Sequence, residues 1–245
     1  LEAEQDKAIE AIVNHAYEHS PFYRERFAAV GFKPGDVKNR CDLARLPEVT
    51  KTDLANNIDR ILCLPKDRLN MSSTGGTSGI ALKFYRDPRC LAFRRGIDLA
   101  TTRYYGWRDG QWQAWLWGAS RDVLKPTGLK AQLIHHCADR VFYIDALHLT
   151  TDAYQEFSAR VRRYHPTYMS AYPSLAYDLA KRIQSGEVEP FRIPMVNFTA
   201  EPVYDFQANL VAETFGEQVY QRYGSREIGM AALECPERNG LHYFT

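Results

Sequence analysis

The 245-residue sequence has few of the features that mark special environments. No run approaches the roughly twenty consecutive apolar residues that a membrane-spanning helix needs, so no segment reads as such a span. An excess of one charge is missing too: 31 Lys and Arg stand against 30 Asp and Glu, a formal net charge of +1. That balance offers no general electrostatic case for nucleic acid or an anionic membrane as partner. Cysteine is sparse. Cys41, Cys63, Cys90, Cys137 and Cys235 are odd in number, scattered and without a C-x-x-C pair, which argues against a disulfide framework and for a reducing, cytoplasmic compartment. The opening LEAEQDKAIEAIV is acidic and amphipathic and does not read as a signal peptide. Internal repeats and low-complexity tracts are also missing.

What is present is an ordinary globular composition, 45% hydrophobic and 25% charged, with enough length to bury a substantial core. Fifteen Tyr, twelve Phe and four Trp suit a well-filled interior and an aromatic-walled pocket.

Periodicity divides the chain. Ala8, Ile9, Ile12, Val13, Ala16 and Tyr17 predict a helix over Glu4–His19, with Pro21 opening a second that Gly31 can close. Thr50 is a candidate N-cap. Residues 1–70 thus read as a helical preface packed on an α/β domain over 71–245. In that domain ALKFYRD reads as a strand, Pro88–Tyr105 as a helix and Gln113–Trp117 as a strand. VFYIDA, TYMSAY, MVNFTA and QVYQRY then read as strands alternating with helices over Asp152–Tyr164, from Pro173 onward and over Tyr204–Phe215. Such alternation predicts a mixed, largely parallel, helix-covered sheet, in which ligands sit at the carboxyl ends of the strands.

Three segments at strand ends carry chemistry. In SSTGGTSG (Ser72–Gly79) small residues allow backbone amides to converge on an anion, with hydroxyls as added donors. It is not a Walker loop, because Ile80 follows Gly79. In FTAEP (Phe198–Pro202) a carboxylate and free carbonyls can line a polar pocket. In YGSREIG (Tyr223–Gly229) Gly224 permits a tight turn, Tyr223 offers a ring for stacking, and Glu227 is a hard oxygen ligand suited to Mg²⁺. Each also reads as an ordinary surface loop.

In this order and placement the three resemble the adenylate-forming superfamily, most closely its phenylacetate–CoA ligase branch and the related capsular-polysaccharide biosynthesis proteins. Thr74-Gly75-Gly76-Thr77-Ser78-Gly79-Ile80-Ala81 resembles the glycine loop of that branch, Thr199-Ala200-Glu201-Pro202 its adenine-side motif, and Tyr223-Gly224-Ser225-Arg226-Glu227 its Y-G-S-T-E motif. HSPFYRERF, RLPEVTKTDL, AYPSLAYDLA and ECPERNGLH extend the similarity over almost the whole chain.

The resemblance implies ATP-dependent conversion of a carboxylic acid to an acyl-adenylate, then transfer to a thiol such as coenzyme A. By the same resemblance Ser73, Thr74, Gly75, Gly76, Thr77, Ser78 and Gly79 would hold phosphates, and Glu227 would meet Mg²⁺. Ala200, Glu201 and Pro202 would flank the adenine of ATP or AMP, with Tyr223 stacked on it and Gly224 and Ser225 also binding the nucleotide. Tyr172 and Pro173 would lie near the acyl group, while Thr77, Arg226 and Glu227 are the candidate catalytic residues. Departures are Ile80 for Lys, Ala81 for Pro, and Arg226 for the Thr that helps hold the α-phosphate; Arg binds phosphate too, with different reach. Alternative readings are transfer to an amine or hydroxyl, and a non-catalytic nucleotide- or acyl-binding module.

Relatives of this kind often dimerise, so a homodimer is one expected arrangement. They also carry a mobile C-terminal lid domain, which the resemblance places beyond these 245 residues. Cys235 and His242 have a spacing that can supply two ligands of a structural Zn²⁺ site. His135-His136-Cys137 is a weaker candidate, because adjacent strand residues point to opposite faces. Arg94-Arg95 and Arg160, Arg162 and Arg163 read as solvated helix faces, and Trp112, Trp115 and Trp117 as core packing.

Overall fold

A computed structural model of the chain describes residues 1–74, 82–117, 140–145 and 149–243. The chain divides into two compact units, Leu1–Phe93 and Arg94–Phe244. Among the described residues no helix is long and apolar enough to cross a membrane.

In the first unit α1 (Glu2–His19) and α2 (Pro21–Ala29) are joined by Ser20, whose hydroxyl accepts from the Tyr23 amide and donates to the Arg60 carbonyl. Pro21 can open α2 because the first helical turn has no use for its missing N–H. Phe27, Phe32 and Val37 form the core here, with Ile9, Val13, Ala16 and Tyr17 of α1 packed against it. Ile12 departs from the predicted apolar stripe and is 66% exposed. Gly31 takes a φ of +78°, so the Phe32 amide folds back to the Phe27 carbonyl and ends α2. Thr50 and Asp53 make a capping box at the start of α3 (Lys51–Asn56), and α4 (Ile58–Ile61) follows. β1 (Asn70–Ser73), absent from the sequence reading, pairs antiparallel with β2 (Lys83–Arg86).

The second unit takes the carboxyl-terminal part of α5 (Pro88–Tyr104), then β3 (Gln113–Trp117) and β4 (Val141–Asp145). The series α6 (Thr151–Tyr164), β5 (Tyr168–Ala171), α7 (Pro173–Gln184), β6 (Ile193–Phe198), α8 (Asp205–Thr214) and β7 (Gly216–Ser225) follows. Two strands that periodicity did not reveal, β8 (Gly229–Glu234) and β9 (Leu241–Tyr243), complete it. The sheet order is β4-β3-β5-β6-β7-β8-β9. Pairs from β4 to β7 are parallel, and the last two pairs are antiparallel. This is the mixed, largely parallel α/β architecture that the alternation predicts.

The two faces of the sheet differ because strand side chains alternate. Ala114 and Leu116, Met169 and Ala171, and Val196 and Phe198 bury one face. Tyr154, Phe157 and Val161 of α6, Ala176 and Leu179 of α7, and Val211 of α8 pack with them. Fully burying one such large apolar side chain contributes about 1.5–3 kcal/mol. On the other face Tyr168, Met195, Tyr220 and Leu233 meet Tyr105 and Trp107, closing the half of the sheet nearest the strand starts. Burial pushes the Tyr105 hydroxyl pKa well up, and that hydroxyl donates to the Glu234 carbonyl at 2.6 Å.

Candidate functional site

Three motif-bearing segments leave adjacent parallel strands. β5 runs into Tyr172-Pro173, β6 into Thr199–Pro202, and β7 ends in Tyr223-Gly224-Ser225. Because β5, β6 and β7 are neighbours in the sheet, these segments share one carboxyl edge.

The edge is cross-linked. The Tyr172 amide donates to the Leu116 carbonyl at 3.2 Å, and the Thr199 amide donates to the Ala171 carbonyl at 3.0 Å. Pro173 is buried at the first position of α7, with Tyr172 extended before it. The Ser174 amide donates to Glu201 Oε2 at 3.1 Å, so this carboxylate satisfies an amide in the first turn of α7. Ala200 holds a φ of +71°, a left-handed conformation uncommon outside glycine, and turns the chain between β6 and Glu201.

Tyr223–Gly229 reads in sequence as a loop, yet in the structure it is a hairpin. Tyr223–Ser225 lies in β7, Gly229 opens β8, and Arg226–Ile228 form the turn. The register shifts at Tyr223/Gly224, a bulge that re-aims the strand end. A Cβ on Gly224 would stand 2.4 Å from the Gly229 carbonyl oxygen, which restricts the position to glycine. Ser225 Oγ accepts from the Ile228 amide at 3.3 Å, and Arg94 Nη1 donates to the Arg226 carbonyl at 2.8 Å. Arg94, expected on a solvated face, is therefore an anchor of this turn. The hairpin leaves Tyr223 57% exposed and Glu227 exposed at the tip, with Arg226 half-buried.

Ser73 and Thr74 of the glycine loop lie in the first unit. The Thr74 amide donates to the Leu82 carbonyl, and the Leu82 amide donates to Thr74 Oγ1, closing the neck of the β1–β2 hairpin. Gly75, Gly76, Thr77, Ser78 and Gly79, with Ile80 and Ala81, lie outside the described residues, as do His135, His136 and Cys137.

Cys235 and His242 do meet: His242 Nε2 is 3.0 Å from Cys235 Sγ and 3.2 Å from Asn239 Oδ1. Among the described residues no group of three His, Cys, Asp or Glu gathers around any point. Two ligands and an amide oxygen do not make up a tetrahedral Zn²⁺ set.

Sequence reasoning missed the sheet face just below the edge. Arg222, half-buried, reaches from β7 to donate from Nη2 to Ser170 Oγ of β5 at 3.1 Å. Asn197 of β6 is registered opposite Ser170 and fully buried, and neither amide atom is hydrogen-bonded. Trp117 packs against Tyr172 at 5.2 Å and against Trp115 at 5.7 Å, so these two tryptophans line this face, while Trp112 stacks on Tyr164 at 4.3 Å and packs on the main core. The signal available was the alternation of MVNFTA and QVYQRY, which puts Asn197 and Arg222 on the face away from Val196 and Val219.

No family model matches the chain. Protein CapK of Staphylococcus aureus is 23% identical over 234 residues, covering 91% of this chain and 49% of that protein. A phenylacetate–coenzyme A ligase of Pseudomonas putida is 25% identical over 231 residues, 92% of this chain and 51% of that protein. Among solved structures, an open conformation of 2-hydroxyisobutyryl-CoA ligase in complex with its acyl-AMP and CoA superposes with a TM-score of 0.75 at 20% identity. That match covers 98% of this chain and 54% of that one. The chain thus spans about half the length of the curated relatives it matches.

Proposed function

From the α/β fold of the adenylate-forming superfamily, and from sequence relatives in its phenylacetate–CoA ligase and CapK branch, we propose that the protein carrying this chain activates a carboxylic acid with ATP. The acid's carboxylate oxygen attacks the α-phosphorus and pyrophosphate leaves. A thiol, with coenzyme A as the expected acceptor, then attacks the acyl carbonyl and AMP leaves. Such an in-line displacement needs positioning and charge stabilisation, not a protein nucleophile.

The observation that carries the reading is the shared edge of β5, β6 and β7, where all three motif-bearing segments of this unit emerge side by side. Tyr223, exposed at the end of β7, would stack on adenine, and the Ala200–Pro202 turn that follows the neighbouring strand β6 would offer it carbonyls. Tyr172 and Pro173 face the acyl group. Glu227, exposed at the hairpin tip, is the hard oxygen donor that Mg²⁺ on the nucleotide would meet, and that ion would neutralise phosphate charge. Arg226 takes the place of an α-phosphate-holding hydroxyl and can supply a charge-assisted donor there. Ser73 to Gly79, with Thr77 central, are assigned to the phosphates on the motif alone. The scattered cysteines suit a reducing, cytoplasmic location.

The test is acid-dependent ATP–pyrophosphate exchange by the full-length protein. Exchange with at least one acid, and its loss by a hundredfold or more in Glu227→Ala, is expected; nucleotide binding with no exchange over a panel of aryl and aliphatic acids overturns the catalytic reading and leaves a binding module. Similarity to CapK favours a second acceptor reading, in which an amine or hydroxyl takes the acyl group. Product formation with and without coenzyme A separates the two.

A further inference from the structure

Ser170 and Asn197 are registered neighbours on β5 and β6, and Arg222, two residues beyond their register partner Tyr220 on β7, reaches back diagonally to Ser170; the three make one polar row immediately before the segments that form the proposed site. The row is built rather than incidental. To reach Ser170 Oγ at 3.1 Å, the Arg222 guanidinium crosses β6, the strand that carries Asn197 between them. Ser170 and Asn197 are 1% and 0% exposed.

Its polar capacity is largely unspent. A guanidinium offers five N–H donors in a fixed fork; among the described residues the one hydrogen bond of the Arg222 side chain goes to a neutral hydroxyl, and no carboxylate pairs with it. Asn197 Nδ2 and Oδ1 are both buried without hydrogen-bond partners, a costly arrangement that folded proteins seldom keep without a purpose. The Asn197 amide lies beside the Tyr105 hydroxyl and acts against the rise of its pKa, while that hydroxyl donates to the Glu234 carbonyl. Beside the row the surface is aromatic: Trp115, Trp117 and Tyr172 line its β3–β5 side.

We propose that this row recognises a second carboxylate on the acyl chain, so that the acid activated is a dicarboxylic acid. Arg222 would grip the distal carboxylate bidentately, and Asn197 Nδ2 would donate to it, while the carboxylate to be activated lies toward the strand ends. A fork facing two coplanar oxygens is the geometry that an Arg and a carboxylate share. Aromatic walls alone would suit a neutral aryl acid; a guanidinium among them penalises such a ligand, because it must be desolvated without a counter-charge. This inference deepens the acid-activation reading and rests on it for the identity of the site, although the row itself can be tested by binding alone.

The experiment compares matched acids on the full-length protein: hexanoate with adipate, and phenylacetate with 4-carboxyphenylacetate. Pyrophosphate exchange gives kcat/KM for each, and calorimetry with a non-hydrolysable ATP analogue gives each Kd. The diacid of at least one pair should be preferred tenfold or more, Arg222→Met should bring that ratio to about one, and Arg222→Lys should retain part of it. Preference for the neutral acid in both pairs, or a ratio unchanged in Arg222→Met, overturns the proposal. If no acid supports exchange yet a diacid binds in an Arg222-dependent way, the catalytic reading fails and the recognition row stands. If neither exchange nor diacid binding occurs, the row fails as well. Should Arg222→Met not fold by circular dichroism, the wild-type ratios and Arg222→Lys decide.

Discussion

Gly224→Ala isolates the steric demand of the β7–β8 hairpin. Gly224 is not among the glycines with positive φ, so alanine meets no backbone-conformational penalty there. Its Cβ would lie 2.4 Å from the Gly229 carbonyl oxygen, 3.0 Å from Met230 Cα and 3.1 Å from the Gly229 carbonyl carbon. All three are backbone atoms of the partner strand, so no side chain can swing aside. Reaching even the 3.0 Å below which real contacts essentially never fall requires a retreat of about 0.6 Å, which must come from opening the strands. The pairs Gly224↔Met230 and Ser225↔Gly229 are next to the clash. Losing one or two of their hydrogen bonds costs about 0.5–1.5 kcal/mol each, and residual overpacking adds about 1 kcal/mol or more. The expected destabilisation is therefore about 2–3 kcal/mol, read as a lower urea midpoint, with faster amide exchange confined to β7 and β8. Gly186→Ala is the control: its φ is +81° but nothing lies within 4 Å of its Cβ, so only the left-handed backbone term of about 1–2 kcal/mol applies. A Gly224→Ala protein within 0.5 kcal/mol of wild type, or exchange spread over the whole sheet, would refute the reasoning.

Other perturbations probe separate parts of the structure. Leu116→Ala empties a fully buried position and should lower stability by about 2–5 kcal/mol in a denaturant melt. Glu201→Ala removes the acceptor of the Ser174 amide; the first turn of α7 should exchange faster and stability fall by about 0.5–2 kcal/mol. Arg94→Met removes the donor to the Arg226 carbonyl, and exchange at Arg226–Ile228 should rise while the α6–α8 face keeps its protection. In the first unit the Thr50 backbone amide holds the Asp53 carboxyl below its ordinary range, the Thr50 hydroxyl adding to it. A depressed folded-state pKa gives stability that is present above the unfolded pKa and lost as pH falls through the folded one. Asp53→Asn should accordingly flatten the acid limb of a stability–pH profile while leaving its neutral-to-alkaline limb parallel to wild type.

Local signals were the ones legible from the residues. Thr50 caps α3 with Asp53, Pro173 starts α7, and Gly31 and Gly186 take positive φ beyond helix ends, because capping and left-handed geometry depend on residues a few positions apart. The buried strands β3 to β7 were legible too, through apolar runs of strand length. β1, β8 and β9 were not: β1 and β9 are short and largely exposed, and in β8 the small residues Gly229, Ala231 and Ala232 dilute the strand signal.

Unassisted, the sequence determined the α/β class and the strand ends at which Tyr172-Pro173 and Thr199–Pro202 emerge. It also determined that Gly224 could be small, but not that it must be; that follows from the approach of the Gly229 carbonyl. The tertiary structure alone decided that β3 sits between β4 and β5, since pairing order in a parallel sheet depends on crossovers that no local pattern records. It likewise decided that Glu201 caps α7, that Arg94 anchors the Arg226 turn, and that Arg222 reaches Ser170 across Asn197. Those contacts join residues far apart in the chain, and only the packing of strands brings them within hydrogen-bond reach.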